Sequence, residues 1–144
     1  NWDAIKRKSK GQKSTTESML SVPRELPALM RATKLQKKAA DVGFDWDDVS
    51  GARDKLEEEI SELRQAIDNK DSANISEELG DVLFSAVNVS RFVKTDAEEA
   101  LTASSDKFLS RFTEVEKLAK ERNIDMKSAG IDELDKLWDE AKAK

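Results

Sequence analysis

The chain has 144 residues, a formal net charge of −5 and 38% charged side chains, and it contains neither cysteine nor histidine. These two absences exclude disulfides, zinc–thiolate sites, cysteine nucleophiles, the Ser-His-Asp triad and an imidazole base. A metal bound by this chain would have oxygen ligands, which favours a hard cation such as Mg²⁺, Mn²⁺ or Ca²⁺.

Neither a membrane span nor a signal peptide is visible in the sequence. No apolar run approaches the ~20 residues that are needed to cross a bilayer. An acidic chain without cysteine fits the cytoplasm, and we predict that location. The first residue is Asn rather than Met, so we expect the sequence to be a fragment of a longer protein.

The start of the chain is predicted to be a linker. Residues 6–18 read KRKSKGQKSTTES, which is polar and basic and has no apolar periodicity. We favour a linker over a nucleic-acid-binding tail, because the rest of the chain is acidic and aromatic residues are not interleaved. WDAIK at 2–6 shares three residues with WDEAK at 138–142. This echo predicts that 1–21 is the tail of an upstream copy plus linker, and that 22–144 is one domain.

The composition indicates an all-α chain, since Ala, Leu, Glu, Lys and Asp dominate and there are only 5 Gly and 2 Pro. Apolar periodicity and capping signals predict helices over about 26–41, 48–68, 74–93, 95–121 and 132–143. The first helix should end at Gly43. Asn74 with Glu77, and Thr95 with Glu98, have the spacing of a capping box. We therefore predict a bundle of four to five helices.

Two acid-x-x-acid steps lie on consecutive predicted helices, Glu59/Glu62 on the second and Glu78/Asp81 on the third. Residues three apart share a helix face, so each helix directs two carboxylates the same way. The 15 residues between the two steps suffice to end one helix, turn and return antiparallel. The two acid pairs are therefore expected to face each other.

The third predicted helix is apolar around most of its circumference and has one narrow polar strip, made of Glu78, Asp81, Ser85 and Asn88. We expect this helix to be largely buried, with its strip facing an internal cleft. Two carboxylates ~4 Å apart repel by about 4 kcal/mol at an effective dielectric near ~20, so a cation, a proton or a basic partner must offset them. A divalent metal site, a solvated acidic face and a salt-bridged structure all stay open from the residues alone.

For several basic and aromatic residues, the sequence likewise leaves open a structural role and a role in substrate binding. Lys107 and Arg111 are four apart on the fourth helix, either as an ordinary exposed pair or as a site for a polyphosphate beside a bound cation. The chain has no GxxxxGK[ST] loop, so phosphate would be bound through a metal bridge. Trp46 is either a base-stacking residue or part of a core or interface, and Trp138 is either a nucleotide contact or a helix anchor.

Several of these motifs together resemble one family. The runs LPALMRA, KLQKKAA and VGFDW within 26–46 closely resemble the start of the C-terminal domain of MazG, a bacterial nucleoside triphosphate pyrophosphohydrolase. The EExxE block at 58–62, followed by EELGD at 77–81, is similar to the signature of the all-α NTP pyrophosphohydrolase superfamily.

Three shorter stretches fit the same family, at 88–91, 107–112 (KFxxRF) and 137–142 (LWxxAK). The resemblance covers about residues 22–144. It implies Mg²⁺-dependent hydrolysis of nucleoside triphosphates to nucleoside monophosphate and pyrophosphate, with Mn²⁺ as an alternative metal and nucleotide-pool housecleaning as the role.

The resemblance also implies roles for individual residues. The metal-binding carboxylates would be Glu59, Glu62, Glu78 and Asp81. Lys107 and Arg111 would contact phosphate, and Trp138 would contact the nucleotide. A lysine that MazG proteins can carry ahead of the second acidic block is missing, because Asn74-Ile75-Ser76 stands there. Glu58, beside Glu59, is our candidate for orienting or deprotonating the attacking water, the alternative being a plain surface glutamate.

Members of the family pair as homodimers, so we expect a second copy to complete the bundle. The predicted partners are nucleoside triphosphates, with no membrane and no nucleic acid. Two alternatives are kept. One is a non-catalytic helical dimerisation or regulatory module, which the Asn74 departure favours slightly. The other is a dUTPase or phosphoribosyl-ATP pyrophosphohydrolase of the same superfamily. Base preference differs widely among members and does not transfer.

Overall fold

The computed structural model describes residues 14–144, and the predicted upstream tail at 2–6 lies outside the described residues. Between residues 14 and 144 there are seven helices and no strand, which confirms the all-α prediction. The helices are α1 (Thr15–Leu20), α2 (Ala28–Ala40), α3 (Val49–Asp68), α4 (Ser72–Phe92), α5 (Ala97–Glu121), α6 (Met126–Ala129) and α7 (Ile131–Lys142). None of the helices in this range is long and apolar enough to cross a bilayer.

The five predicted helices correspond to α2, α3, α4, α5 and α7, with ends that agree within two residues. The short α1 lies partly within the stretch interpreted as linker. Its N-cap is Ser14, whose hydroxyl accepts from the Glu17 N–H at 3.1 Å. Lys38 of α2 donates to the Ser18 hydroxyl at 2.7 Å. The end of the predicted linker is therefore folded against α2, while the domain boundary at residue 22 stays a prediction.

Helix α2 ends at Ala40, and the glycine that the sequence indicated as its stop, Gly43, follows three residues later. Gly43 has a φ of +88°, in the left-handed region that glycine adopts without steric cost. The Phe44 N–H donates to the Ala39 carbonyl and the Gly43 N–H to the Ala40 carbonyl, both at 3.0 Å, which is the Schellman pattern. The same pattern ends three further helices at residues with φ of 54–55°, namely Lys70, Lys94 and Asn123.

The start of α4 differs from the prediction. Asp71, rather than Asn74, is the N-cap, and its carboxylate accepts from the Asn74 N–H at 3.3 Å. Aspartate is as good an N-cap as asparagine, so the cap lies three residues earlier than predicted and the helix begins at Ser72. Thr95 likewise does not cap α5, because its hydroxyl donates to the Val93 carbonyl at 3.3 Å.

The chain divides into two compact units, one ending at Glu98 and the other beginning at Glu99. In the first unit, α3 and α4 are joined by the short connection 69–71 and pack against each other along their length as an antiparallel hairpin. Helix α2 packs on α4, and α1 packs on α2. The buried apolar residues of this unit are Val22, Ala52, Ala66 and Val87.

The second unit has its own apolar core. The core residues come from α5 and α7 and are Val115, Leu118, Ala119, Leu137 and Ala141. Ile124, Met126, Leu134 and Trp138 pack against them. Two aromatic residues on the apolar side of α5, Phe108 and Phe112, stay 59% and 38% exposed in the described chain.

The expectation that α4 is largely buried is wrong for this chain by itself. Leu79, Leu83 and Phe84 are 47–51% exposed, and Ile60 and Ile67 of α3 are 42% and 53% exposed. Within the first unit, α4 has α3 and α2 as its neighbouring helices, which cover part of its circumference. Its apolar surface is thus wider than these two neighbours can bury.

Candidate metal centre

Carboxylates from α3 and α4 meet in the hairpin. One oxygen each of Glu59, Glu78 and Asp81 lies within 4.8 Å of the other two. Glu62, the fourth predicted ligand, is not part of this set of three. Its carboxyl group is nevertheless close enough to hydrogen-bond with both Glu59 and Glu78. The structure thus brings together the four acids that the two acid-x-x-acid steps contain, with Glu62 at the edge of the cluster.

The burial of Glu59 follows from its position on α3. Ala52, Glu59 and Ala66 are spaced seven residues apart, which places them on one side of the helix. All three are buried, with exposures of 0%, 5% and 1%. The alanines allow α4 to approach closely, and Glu59 occupies the same seam. A carboxylate buried in such a seam costs folding free energy unless a partner compensates its charge.

Lys55 is a functional candidate that the sequence analysis missed. Its ammonium nitrogen lies 3.0 Å from Glu59 Oε1 and 3.4 Å from Glu58 Oε2. This hydrogen bond from Lys55 lowers the pKa of Glu59, and the same contact raises the pKa of Lys55. The local signal was present, because Lys55 stands four residues before Glu59 and therefore on the same helix face.

Two oxygens of the cluster have no donor. Glu59 Oε2 and Glu78 Oε2 are buried, and no group of the described residues donates a hydrogen bond to them. The pKa of Glu78 is raised to about 7, first by burial and then by its hydrogen bond with Glu62 and the charges of Glu62, Glu59 and Asp81. Lys55 alone does not neutralise so many acids. The donor set therefore fits a divalent cation that prefers oxygen ligands.

The structure places Glu58 outside the acid cluster. Its side chain is 56% exposed and pairs with Lys55 at 3.4 Å. The other predicted site residues lie in the second unit. The Arg111 guanidinium carbon is 5.8 Å from the centroid of the Trp138 ring, and the Phe108 ring is 5.6 Å from it. Lys107 is exposed. The predicted roles of these residues stay predictions.

A cavity of about 720 Å³ opens within the first unit. It is lined by residues of α1, α2, α3 and α4 and by the loop 41–48, which contains Phe44 and Trp46. Lys55 is also among the lining residues, so the cavity adjoins the ion pair that Lys55 makes with Glu59.

A polar network crosses the wall of this cavity. The Arg91 guanidinium donates to both oxygens of Asp45, at 2.7 and 3.2 Å, and lowers the pKa of that carboxyl. Arg91 Nε donates to the side-chain oxygens of Gln36 at 3.3 Å and of Asn88 at 3.1 Å. Gln36 is 6% exposed and donates from Nε2 to the Phe84 carbonyl at 2.9 Å. Asn88 lies three residues before Arg91 on α4, but Gln36 and Asp45 are 55 and 46 residues away from Arg91, so no local pattern indicated their contacts with it.

Residues 47–116 match the model of the MazG nucleotide pyrophosphohydrolase domain. This stretch contains all four acids of the cluster.

Curated relatives agree with that match. The chain is 41% identical over 145 residues to the nucleoside triphosphate pyrophosphohydrolase of Escherichia coli (strain K12), covering 98% of this chain and 54% of that protein. It is 40% identical over 141 residues to the nucleoside triphosphate pyrophosphohydrolase/pyrophosphatase MazG of Thermotoga maritima, with the same two coverages of 98% and 54%. It is 48% identical over 145 residues to the uncharacterized protein YabN of Bacillus subtilis (strain 168), covering 29% of it. The chain thus spans about half the length of the first two relatives.

Proposed function

Because residues 47–116 form a domain of the MazG nucleotide pyrophosphohydrolase family, we propose that this chain hydrolyses nucleoside triphosphates to nucleoside monophosphate and pyrophosphate. The observation that carries the proposal is that Glu59, Glu78 and Asp81 meet, and that one buried oxygen each of Glu59 and Glu78 has no hydrogen-bond donor among residues 14–144. A cation bound by these carboxylates would offset their mutual repulsion and could at the same time bind an anionic substrate. Housecleaning of the nucleotide pool in the cytoplasm is the proposed role.

The proposed metal is Mg²⁺, with Mn²⁺ as an alternative, held by Glu59, Glu62, Glu78 and Asp81. Mg²⁺ is commonly bound by a few carboxylates together with the phosphates of the substrate, which suits a cluster on two helices. When bound, the ion supplies positive charge at the phosphate oxygens, where hydrolysis of a phosphoanhydride builds up negative charge.

The remaining chemistry falls to side chains of this chain. In hydrolysis, a water oxygen bonds to phosphorus, the P–O bond of the α–β bridge breaks, and the bridging oxygen leaves with pyrophosphate. We assign the orientation of this water and the acceptance of its proton to Glu58, supported by its contact with Lys55 beside the acid cluster. Lys107 and Arg111 are proposed to contact phosphate and Trp138 to contact the nucleotide.

Lys55 is proposed as a further phosphate contact. Without a cation its ammonium is the counter-charge of Glu59. With a divalent cation held at Glu59, Lys55, which also lines the cavity, would no longer be needed as that counter-charge and would be available to the triphosphate. This lysine would supply the basic contact that is missing at Asn74.

A homodimer is proposed on the exposed apolar residues of the hairpin. Ile60 and Ile67 of α3 and Leu79 and Leu83 of α4 are each about half exposed. Large apolar side chains that stay exposed in such numbers on two paired helices are typical of an interface between protein chains. A second copy that covers it would also bury the α4 face that the chain by itself leaves open.

Product analysis tests the proposed activity. A mixture of nucleoside triphosphates is incubated with the protein and Mg²⁺, and then with EDTA, and the products are separated by ion-exchange chromatography. We expect nucleoside monophosphate and pyrophosphate in equal amounts and no turnover with EDTA. Release of orthophosphate, or turnover that EDTA leaves unchanged, would contradict the proposal. Including dUTP and phosphoribosyl-ATP separates the two enzymatic alternatives.

The second candidate is a non-catalytic dimerisation or regulatory module, which the exposed apolar hairpin face favours. A real nucleotide site raises the melting temperature by mass action when its ligand is added. Melting with Mg²⁺ and a non-hydrolysable triphosphate therefore separates the two. No shift, together with a dimer in light scattering, would support the module.

A further inference from the structure

We propose that Gln36 is a positioning residue for the metal centre, because its side-chain amide holds α4 in the place where Glu78 and Asp81 meet Glu59. Gln36 acts through α4 rather than by binding the metal itself. The proposal rests on the proposed metal-dependent hydrolysis. It names a residue on a third helix, α2, on which the geometry of the acid cluster depends.

Gln36 contacts α4 at two points. Its Nε2 donates to the Phe84 carbonyl at 2.9 Å, and its side-chain oxygen accepts from Arg91 Nε at 3.3 Å. Phe84 and Arg91 are seven residues apart, which is about two helical turns, so both contacts lie on the same side of α4. Two contacts at different heights on one side of a helix oppose both its rotation and its sliding.

Both contact points are rigid. The Phe84 carbonyl belongs to the backbone within α4, so a hydrogen bond to it holds the helix itself rather than a mobile side chain. The Arg91 side chain is only 10% exposed, and its guanidinium donates to both oxygens of Asp45 at 2.7 and 3.2 Å. Gln36 is 6% exposed. Water therefore competes little for these hydrogen bonds, which strengthens them as constraints on the packing of α4.

Apolar packing constrains α4 less firmly than these bonds do. Helices normally hold one another in place by interlocking large side chains. The apolar residues that the described part of the first unit buries are all small, namely Val22, Ala52, Ala66 and Val87. By contrast, Leu79, Leu83 and Phe84 of α4 stay about half exposed. A helix with so much apolar surface can pack in several similar orientations, and a buried polar contact selects one of them, as a buried Asn does in coiled coils.

The position of α4 determines the geometry of the acid cluster. Glu78 and Asp81 lie on α4 and Glu59 lies on α3, with one oxygen of each within 4.8 Å of the other two. Asp81 stands three residues before Phe84, so it lies within one turn of the carbonyl that Gln36 binds. A rotation or a slide of α4 that broke this bond would change the distances of both acids from Glu59.

The test compares Gln36→Met with the wild-type chain. Methionine has nearly the length of glutamine and adapts to the same space, but it cannot make the two hydrogen bonds. Arg91 keeps Asn88 and Asp45 as acceptors, so its guanidinium is not left without a partner. The urea midpoint of the metal-free protein should therefore change little.

The decisive readout is the Kd of Mn²⁺, titrated alone and followed by the EPR signal of the free ion. We expect Gln36→Met to raise this Kd about tenfold or more, the usual scale when the support of metal ligands is removed. The value of kcat for triphosphate with Mg²⁺ should fall about 10- to 100-fold, because a small misplacement of reacting groups has effects of this size. If both values equal those of the wild type, the proposal is wrong, whatever happens to the urea midpoint. Gln36→Leu, with the same expected results, takes its place if the methionine variant does not fold.

Two controls separate positioning from a general loss of structure. Thr33→Val removes a hydroxyl that donates to the Leu29 carbonyl at 2.8 Å, a hydrogen bond that stays within α2, and it should change neither value. Val22→Ala removes buried apolar volume between α1 and α2, so it should lower the urea midpoint and leave the Kd of Mn²⁺ unchanged. A rise in Kd in Val22→Ala as large as that in Gln36→Met would assign the effect to lost stability and overturn the proposal.

The Mn²⁺ titration needs no turnover, so a failure of this proposal and a failure of the proposed function are distinguishable. If no triphosphate yields pyrophosphate but Gln36→Met weakens Mn²⁺ binding, the proposed function fails and the positioning role stands. If pyrophosphate is released and Gln36→Met binds Mn²⁺ like the wild type, the positioning role fails and the function stands. A wild-type chain that does not bind Mn²⁺ would also overturn the positioning role.

Discussion

The ammonium of Lys55 lies 3.0 Å from the carboxylate of Glu59, one helical turn further along α3. Glu59 is 5% exposed, whereas the Lys55 side chain is 40% exposed, so the lysine reaches from the surface to a buried acid. Lys55 thus supplies a positive charge to the acid cluster. Among the described residues, no other lysine or arginine forms a salt bridge with Glu62, Glu78 or Asp81. The ion pair links the fold to the proposed chemistry, because a metal ion at Glu59 would take the place of the lysine.

Replacing Lys55 by methionine should lower both stability and activity. Without a cation, Glu59 would keep a buried charge with no compensating partner, so the melting temperature should fall. Saturating Mg²⁺ should remove most of this fall, because the ion supplies the missing charge. We expect kcat/KM for triphosphate to drop about 10- to 100-fold, as for the loss of a charged substrate contact. Calorimetry and steady-state kinetics measure these effects.

The control for Lys55→Met is Lys120→Met, which removes an exposed lysine near the end of α5. It should change neither the melting temperature with and without Mg²⁺ nor kcat/KM. If Lys55→Met behaved like this control, the ion pair would have no role at the cluster.

Removal of single acids should separate metal ligation from folding. Glu59→Gln and Asp81→Asn are expected to lower kcat by about 100-fold or more, the scale for losing one electrostatic group in a preorganised site. Both should leave the metal-free fold intact by circular dichroism, because each removes a charge from a cluster of acids. Glu58→Gln should lower kcat yet keep Mg²⁺ affinity, which titration calorimetry measures. Wild-type rates in the first two variants would exclude the metal assignment.

The raised pKa of Glu78 predicts a stability that falls as pH rises. The unfolded chain releases the Glu78 proton near its usual pKa of 4.5, while the folded chain keeps it until about pH 7. Between these values the folded state binds more protons, so the free energy of unfolding decreases with pH. Denaturant melts of the metal-free protein at pH 5, 6, 7 and 8 should show the decrease.

The same group makes metal binding dependent on pH, since a ligand must be deprotonated to bind a cation. Mg²⁺ affinity should therefore weaken as pH falls below about 7, and binding near that pH should release a proton. Calorimetry in two buffers of different ionisation enthalpy detects the proton. Glu78→Gln should abolish the fall in stability between pH 5 and 8, and a wild-type fall in this variant would assign it to another group.

A glycine in place of Lys70, in the connection between α3 and α4, should increase the stability of the protein. Lys70 has a φ of 55°, a left-handed conformation that costs a residue with a side chain about 1–2 kcal/mol. Lys70→Gly should therefore stabilise the protein by roughly 0.5–1 kcal/mol, after the larger entropy of glycine in the unfolded state is subtracted. Lys120→Gly, within α5, should instead destabilise it by about 1 kcal/mol. Urea melts of both variants provide the measurement, and a loss of stability in Lys70→Gly would refute the argument.

Replacing a glycine inside a helix by alanine usually increases stability, but we do not expect this increase at Gly51. A Cβ at this position would lie 2.8 Å from Cε3 of the Trp46 ring, so the ring or the loop 41–48 must move. We expect Gly51→Ala to shift the Trp46 indole NMR signal and to raise KM for nucleotide, while inhibition by inorganic tripolyphosphate, which has no nucleoside, stays unchanged. Gly80→Ala, on α4 and without any atom within 4 Å of the added Cβ, is the matched control for this cavity effect. Equal behaviour of the two variants would mean that Trp46 has no part in nucleoside binding.

The helices and the pairing of the acids were within reach of the sequence, because both depend on local spacing. A period of 3.6 residues determined the faces of α3 and α4 and placed Glu59 with Glu62 and Glu78 with Asp81. Gly43 marked the end of α2 for the same local reason. The spacing of Ala52, Glu59 and Ala66 also lay in the sequence and would have identified Glu59 as the buried acid.

Only the tertiary structure decided which groups meet across the first unit. Arg91 donates to Gln36, 55 residues earlier in the chain, and to Asp45, and both contacts depend on how α2, α4 and the loop between α2 and α3 pack. No local pattern encodes that packing. The exposure of Leu79 and Leu83 likewise depends on how many neighbours α4 has rather than on its own apolar composition. The spacing of residues along a helix determines which face of the helix each side chain lies on. Burial and long-range hydrogen bonds depend instead on how the helices pack together.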